Sequence, residues 1–330
     1  MSIVAALDYT PVHAAPRPKG RQRVRAVLLG CGTVNAGVLE QLGQMEDRIE
    51  VAAIVTRKPR SGGDERHAWL TDGKAAFDTG PDLVIEALPD GATAEKLLDL
   101  AVERGIHVIS ANKAVIARRP DLEARARRNG TDFIYSAAVG GGVPVLETIS
   151  RLRASGETVE TVRGVLNGTS NFVLGLLENG TGFDDAIAAA QAAGFAEADP
   201  SADIDGLDAA AKLALIARKA FDVAPDAYTI PTDRLSSLSG EQVRGARENG
   251  LRYRQVAELA WHDGRLSAQV RLEALREDHG LARTENEENA VEIRCRSGLR
   301  ISLHGRGAGQ APTAGAVIGD VRALLEGACR

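Results

Sequence analysis

The sequence predicts an α/β protein, a doubly wound parallel sheet with a second, α+β domain, and three observations carry that prediction. A length of 330 residues divided by about 150 per domain gives two domains, each with room for a core. Through the first half, apolar runs alternate with helical stretches, the pattern of βαβ units. From about Glu147 onward, Ala- and Leu-rich helical patterns mix with alternating apolar and polar segments, the texture of an α+β domain.

The first run, Val24–Leu29, is nearly all apolar, as a strand buried on both faces requires. It passes through Gly30-Cys31-Gly32-Thr33-Val34 into a helical pattern ending near Gly43, and a second strand follows over Glu50–Val55. Together they have the length of one βαβ unit. Further strands are expected at Leu83–Leu88, His107–Ala111 and Phe133–Val139. Between them, Thr93–Arg104 carries Leu97, Leu98, Ala101 and Val102 on one stripe and stops at Gly105. Asp121–Asn129 follows Pro120 and stops at Gly130. In the second half, helices are expected over Asp184–Ala193, Leu207–Phe221 and Gly245–Ala260, with strands at Ser267–Leu272 and Ala290–Cys295. Gly305–Gly309, Pro312 and an apolar helix to Leu325 read as a return to the first domain. The expected division is an extension over 1–20, a first domain over 21–147 completed by 305–330, and a second over 148–304.

Composition narrows the function classes. The mean hydropathy is −0.13, and no apolar run approaches the roughly 18 residues of a membrane span. Forty basic against 45 acidic side chains leave a net charge of −5, which gives no general pull toward nucleic acid or anionic membrane. Aromatic residues at 4% do not make a stacking platform for single strands. The cysteines, Cys31, Cys295 and Cys329, are odd in number and widely spaced, so neither a disulfide framework nor a zinc ribbon is expected. A reducing cytoplasm fits them. Arg17, Lys19, Arg21 and Arg23 follow the short N-terminal mixed stretch, the reverse of a signal peptide. The six histidines form no metal spacing.

Two segments carry chemistry. Gly30-x-Gly32 sits at a strand-to-helix turn, where the first glycine permits the tight turn and the second lets backbone amides approach a pyrophosphate at the positive helix end. This is the Rossmann-type arrangement for a dinucleotide. The third glycine position of that fingerprint holds Asn35, which predicts helix and strand packed slightly farther apart. At the end of the second strand, Val55-Thr56-Arg57-Lys58 offers cations where an acid would bind the ribose hydroxyls. Cations there suit a 2′-phosphate, so NADP is expected ahead of NAD.

The second segment runs from Glu197 through Asp199, Asp203, Asp205, Gly206 and Asp208 to Lys212. Its centre resembles a calcium loop, but position twelve is Lys212 where a bidentate glutamate is needed. Asp208 and Lys212 lie four residues apart on one helix face among alanines and leucines. A partly buried lysine so placed has its pKa lowered toward the range of proton exchange. On these residues alone, a structural ion pair and a catalytic acid both fit. Val139-Gly140-Gly141-Gly142-Val143-Pro144 and Gly305-Arg306-Gly307-Ala308-Gly309 suit close approach of backbone to a ligand, or are flexible turns. Asn167-Gly168-Thr169-Ser170 reads as a turn and helix N-cap.

Taken together these segments resemble homoserine dehydrogenase from about Arg25 to Arg330. The motifs that carry the likeness are Gly30–Val34, Ala111-Asn112-Lys113, Val139–Pro144, Asn167–Asn171, Gly194–Pro200 with Asp203, Gly206, Asp208 and Lys212, and Gly307–Gly309 with Pro312-Thr313-Ala314. The resemblance implies reversible reduction of L-aspartate 4-semialdehyde to L-homoserine, toward threonine and methionine. It implies a cytoplasmic homodimer, formed through the second domain, that uses a nicotinamide cofactor. It assigns proton exchange to Lys212, assisted by Lys113, with Asp208 orienting Lys212. Glu197, Asp208 and Asp203 bind the substrate. The cofactor falls to Gly30, Gly32, Thr33, Val34, Arg57, Ser110, Lys113 and Gly307. The backbone carbonyls of Val139, Gly141 and Val143 would hold a monovalent cation such as sodium. The regulatory ACT domain of longer relatives is expected to be missing. Besides Asn35, the sequence departs from the family pattern at Pro89-Asp90, Ser136 and Phe195. The rival readings are a related dehydrogenase for another semialdehyde or hydroxy acid, and a non-catalytic dinucleotide-binding relative.

Overall fold

The structure is a computed structural model that describes residues 23–58, 66–223 and 228–327. The extension expected over 1–20, and Cys329, lie outside those residues. Residue contacts divide the chain into two units. One takes the chain to Ser110, Arg119–Ile134 and the chain from Ile318; the other takes Ala111–Arg118 and Tyr135–Val317.

In chain order the first strands and helices are β1 (Val24–Leu29), α1 (Thr33–Leu42), β2 (Ile49–Val55), β3 (Ala68–Leu70), α2 (Gly73–Phe77), β4 (Leu83–Glu86), α3 (Gly91–Glu103), β5 (His107–Ser110), α4 (Lys113–Arg118), α5 (Asp121–Arg128) and β6 (Phe133–Ile134). The first unit's sheet has the order β3-β2-β1-β4-β5-β6, with every pair parallel. Its strands read as apolar runs because helices cover both faces of such a sheet, and Ala26 through Leu29 are fully buried. The strand order reverses at β1, so its carboxyl end is a topological switch point, where open sheets of this kind bind ligands. The run expected to Val139 stops as a strand at Ile134, and Ser136–Ala138 forms a turn of 3₁₀-helix instead.

The second unit continues with α6 (Val145–Ala154), β7 (Val159–Val165), α7 (Gly168–Glu178), α8 (Phe183–Ala192), α9 (Ser201–Ile204), α10 (Leu207–Phe221), α11 (Gly240–Glu248), β8 (Leu251–His262), β9 (Arg265–Arg276), β10 (Glu288–Cys295) and β11 (Arg300–Arg306). α12 (Gln310–Glu326) ends the described chain. The second sheet has the order β11-β10-β7-β8-β9 and is antiparallel throughout.

The helix expected over Gly245–Ala260 is replaced by the end of α11 and by β8. Gly250 turns the chain at φ +72°, and β8 then pairs with β9 along its whole length, from Leu251↔Arg276 to His262↔Arg265. Helix-forming residues such as Ala257, Glu258 and Ala260 follow the ladder, because tertiary pairing overrides weak local propensity. The division of the chain also differs from the boundaries expected at 147 and 305. The second unit takes Ala111–Arg118 and then runs unbroken from Tyr135, and Gly305 stays with it because β11 pairs with β10, Gly305 opposite Asn289.

Candidate functional site

In the second unit, α10 begins at Gly206, whose φ of +78° lets the chain turn sharply into the helix. One turn apart along α10, Asp208 and Lys212 face the same way, and Lys212 Nζ lies 2.7 Å from Asp208 Oδ2. Lys113, the first residue of α4, donates from Nζ to Asp208 Oδ1. The cluster is largely enclosed: the Lys212 and Asp208 side chains are 11% and 14% exposed.

Asn167 completes it. Its side-chain oxygen accepts from Ser170 N at 2.8 Å and caps α7. Its Nδ2 donates to Asp203 Oδ1 at 2.6 Å and to Asp208 Oδ2 at 2.9 Å. Lys212 Nζ also donates to the Leu166 carbonyl at 2.6 Å. An ammonium has three N–H donors. Asp208 and Leu166 take two, and the third has no protein partner among the described residues.

Burial pushes the Lys212 ammonium below the usual lysine range, against the pull of the Asp208 carboxylate and with the repulsion of Lys113. At Asp208 burial works upward, but the ammoniums of Lys212 and Lys113 override it and hold the carboxyl well below the usual carboxylate range. The result is a permanently charged carboxylate holding a lysine that gives up its proton more readily than one in water. Such a lysine can exchange a proton with an alcohol or alkoxide oxygen placed at its third N–H.

Glu197 is exposed in the loop after α8, and only its backbone enters a described hydrogen bond, accepting from Gln191 Nε2 at 3.1 Å. Phe195, in the same loop, stacks on Phe172 with ring centroids 4.4 Å apart, and its carbonyl accepts from Thr169 Oγ1 at 2.6 Å. The turn after Ser136–Ala138 reverses at Gly140 and Gly141, both in the left-handed region, and Val143 N donates to Gly140 O at 2.9 Å. The Val143 carbonyl accepts from Val145 N at 2.8 Å. Val139, Gly141 and Val143 thus share one short turn. Gly307 lies beside it, its carbonyl 2.4 Å from where a Cβ on Gly141 would stand.

In the first unit, Gly30 has φ +91°, and a Cβ there would meet the Ala87 carbonyl at 2.9 Å, so the turn requires glycine. Gly32 is the N-cap of α1 and offers no side chain to its first-turn amides. Gly32 and Thr33 are exposed, Val34 partly so, and the space where a Cβ on Gly32 would stand is open. A helix start with bare amides and room beside it fits a pyrophosphate. Asn35 is fully buried, and its Nδ2 donates to the Gly30 carbonyl at 2.9 Å and the Leu29 carbonyl at 3.2 Å. In place of the third glycine, it ties α1 to the end of β1. Asp90 caps α3, accepting from Ala92 N at 3.0 Å. Arg57 is exposed just beyond β2. Ser110 is buried at the end of β5 and donates to Glu86 Oε2 at 2.5 Å.

Comparison with known proteins covers both units. Residues 30–136 match the family model described as "Homoserine dehydrogenase, NAD binding domain" and residues 144–321 the one described as "Homoserine dehydrogenase". The chain belongs to the homoserine dehydrogenase family. It is 34% identical over 315 residues to homoserine dehydrogenase from Synechocystis, covering 90% of this chain and 72% of that protein. It is 35% identical over 259 residues to an NAD(+)-dependent homoserine dehydrogenase from Pseudomonas canavaninivorans, covering 77% and 73%. The crystal structure of a homoserine dehydrogenase from Thiobacillus denitrificans superposes with a TM-score of 0.85 at 29% identity, covering 92% of this chain and 73% of that one. As a member of this family, the protein is an NAD(P)-dependent oxidoreductase.

Sequence reasoning paired Lys212 with Asp208 but read Asn167 only as a cap. Nothing in the local pattern shows that its amide reaches two carboxylates 36 and 41 positions away. Glu86, which accepts from Ser110, is marked in the sequence only as a lone acid in an apolar strand.

Proposed function

We propose that this homoserine dehydrogenase interconverts L-homoserine and L-aspartate 4-semialdehyde with NADP ahead of NAD, in threonine and methionine biosynthesis, as a cytoplasmic homodimer formed through the second unit. The observation that carries the site assignment is the third N–H of Lys212, without a protein partner beside a carboxylate that stays charged.

When bound, the nicotinamide supplies or takes the hydride at the substrate carbon. In oxidation Lys212, neutral, accepts the hydroxyl proton as the carbonyl forms; in reduction its ammonium returns that proton to the developing alkoxide. Asp208 orients Lys212 and keeps its charge reversible, and Lys113 adds positive charge near the oxygen. Asp208, Asp203 and Glu197 hold the substrate's amino end, Glu197 by turning its exposed carboxylate inward. The bare amides at Gly32, Thr33 and Val34 take the pyrophosphate, Gly30, whose N–H donates to the Val55 carbonyl at 3.0 Å, shapes the turn that brings them to it, and Arg57 takes the 2′-phosphate. Ser110, Lys113 and Gly307 also contact the cofactor. The carbonyls of Val139, Gly141 and Val143 hold a monovalent cation. No helix among the described residues is long and apolar enough to cross a membrane.

The test is the initial rate of L-homoserine oxidation by purified protein with NADP and NAD in parallel. Faster turnover with NADP supports the whole reading. Faster turnover with NAD keeps the reaction and removes Arg57 from its role. Folded protein that binds cofactor yet turns over with neither overturns the proposal.

A further inference from the structure

Asn289 lies on β10 opposite Gly305 of β11 and is 1% exposed. Neither Nδ2 nor Oδ1 has a hydrogen-bond partner among the described residues. A buried amide left unpaired destabilises a fold, whereas a leucine of similar shape would not. Packing alone therefore does not account for an asparagine here.

The amide lies against Gly307. A Cβ on Gly307 would fall 2.1 Å from Asn289 Cγ, 2.1 Å from Nδ2 and 2.3 Å from Oδ1. On another side Gly307 crowds Gly141, and its N–H donates to the Glu287 carbonyl at 2.8 Å. Gly307 is thus held among the amide of Asn289, the Gly141 turn and the Glu287 strand entry, and any side chain there would displace the Asn289 amide. Two residues on, Gly309 takes φ +111°, a conformation that side-chain-bearing residues rarely adopt.

We propose that Asn289 is a positioning residue for the cofactor: its carboxamide sets the place of Gly307 and pairs with peptide groups of the 307–309 turn when the nicotinamide dinucleotide binds. The inference rests on the proposed contact between Gly307 and the cofactor. It explains why an amide is kept where an apolar side chain would suit the unliganded protein better. It also separates this residue from Lys212 and Asp208, since Asn289 acts on cofactor affinity and not on proton exchange.

The experiment compares Asn289→Leu and Asn289→Ala with the unsubstituted protein, measuring NADPH affinity by fluorescence titration and thermal unfolding with and without NADPH. Asn289→Leu is expected to keep or raise the Tm without NADPH, to lose most of the rise that NADPH confers, and to weaken NADPH binding at least tenfold. The KM for cofactor should rise by the same factor. Asn289→Ala, which leaves space instead of filling it, should show the same loss of affinity, so a folding defect in one variant is checked by the other. NADPH affinity within twofold of the unsubstituted protein in either folded variant overturns the proposal. Gly307→Ala separates the two levels. If it weakens NADPH binding while the Asn289 variants do not, the inference about Asn289 alone fails. If it too binds NADPH normally, the proposed contact of Gly307 with the cofactor fails.

Discussion

Lys212 and Asp208 stand one turn apart on α10 with 2.7 Å between Nζ and Oδ2, while Lys113, 95 positions away in the chain from Asp208, reaches the other carboxylate oxygen. One carboxylate therefore serves two ammoniums, and Asn167 ties a second carboxylate, Asp203, to it. Burial lowers the Lys212 ammonium and Asp208 raises it back in part. If Lys212 exchanges the substrate proton as proposed, the balance between the two sets where the pH dependence of turnover falls.

Asp208→Asn should expose that balance. Under the proposed mechanism homoserine oxidation needs neutral Lys212, so its rate should rise with pH through the Lys212 pKa. Removing the carboxylate removes what raises that pKa, so the rising limb of kcat should move to lower pH, by roughly one unit or more for a charge this close. The maximal rate should also fall, as Lys212 loses its orientation. A limb that stays in place while the rate falls would mean Lys212 is not the titrating group.

Asn167 has two duties that substitution can separate. Asn167→Ala removes both the α7 cap and the link to Asp203 and Asp208, and should cost about 0.5–2 kcal/mol of stability from the cap alone together with a loss of kcat. Asn167→Ser keeps a capping oxygen and should recover most of the stability but not the rate. Recovery of both would reduce Asn167 to a cap.

The buried cluster of Glu178, Arg252 and Arg254 joins α7 to β8. Arg254 is 1% exposed and donates to Glu178 Oε1 at 2.8 Å, and Arg252 donates to Oε2 at 2.8 Å. Glu178→Ala leaves the buried Arg254 without its carboxylate and Arg252 with only Glu285, 3.6 Å away, and should cost about 3–5 kcal/mol. Denaturant unfolding that shifts by less than about 1 kcal/mol, the worth of an exposed pair, would show that the cluster is solvated.

The parallel sheet was legible because strands buried on both faces must be apolar throughout, as Val24–Leu29 is. β3 was not: Ala68–Leu70 is three residues long at the sheet's edge, too short for periodicity to register. The 245–260 segment misled because its residues suit a helix, and the only local sign of the break is Gly250. At the site, Asp208 and Lys212 were readable from spacing on one helix. Lys113 had no such spacing to Asp208 and entered only through the family resemblance, and the reach of Asn167 is tertiary. Asn35 shows both. Its departure from glycine was visible in the sequence, but that its amide is enclosed and bonded to the end of β1 is tertiary.

If Lys212 exchanges the substrate proton, kcat for L-homoserine oxidation by Lys212→Ala, measured beside the unsubstituted enzyme at saturating cofactor, reads the loss of that exchange. The expected fall is at least about a hundredfold, the usual floor for losing a general acid–base group, with the affinity for cofactor retained. A kcat within threefold of the unsubstituted enzyme would contradict it.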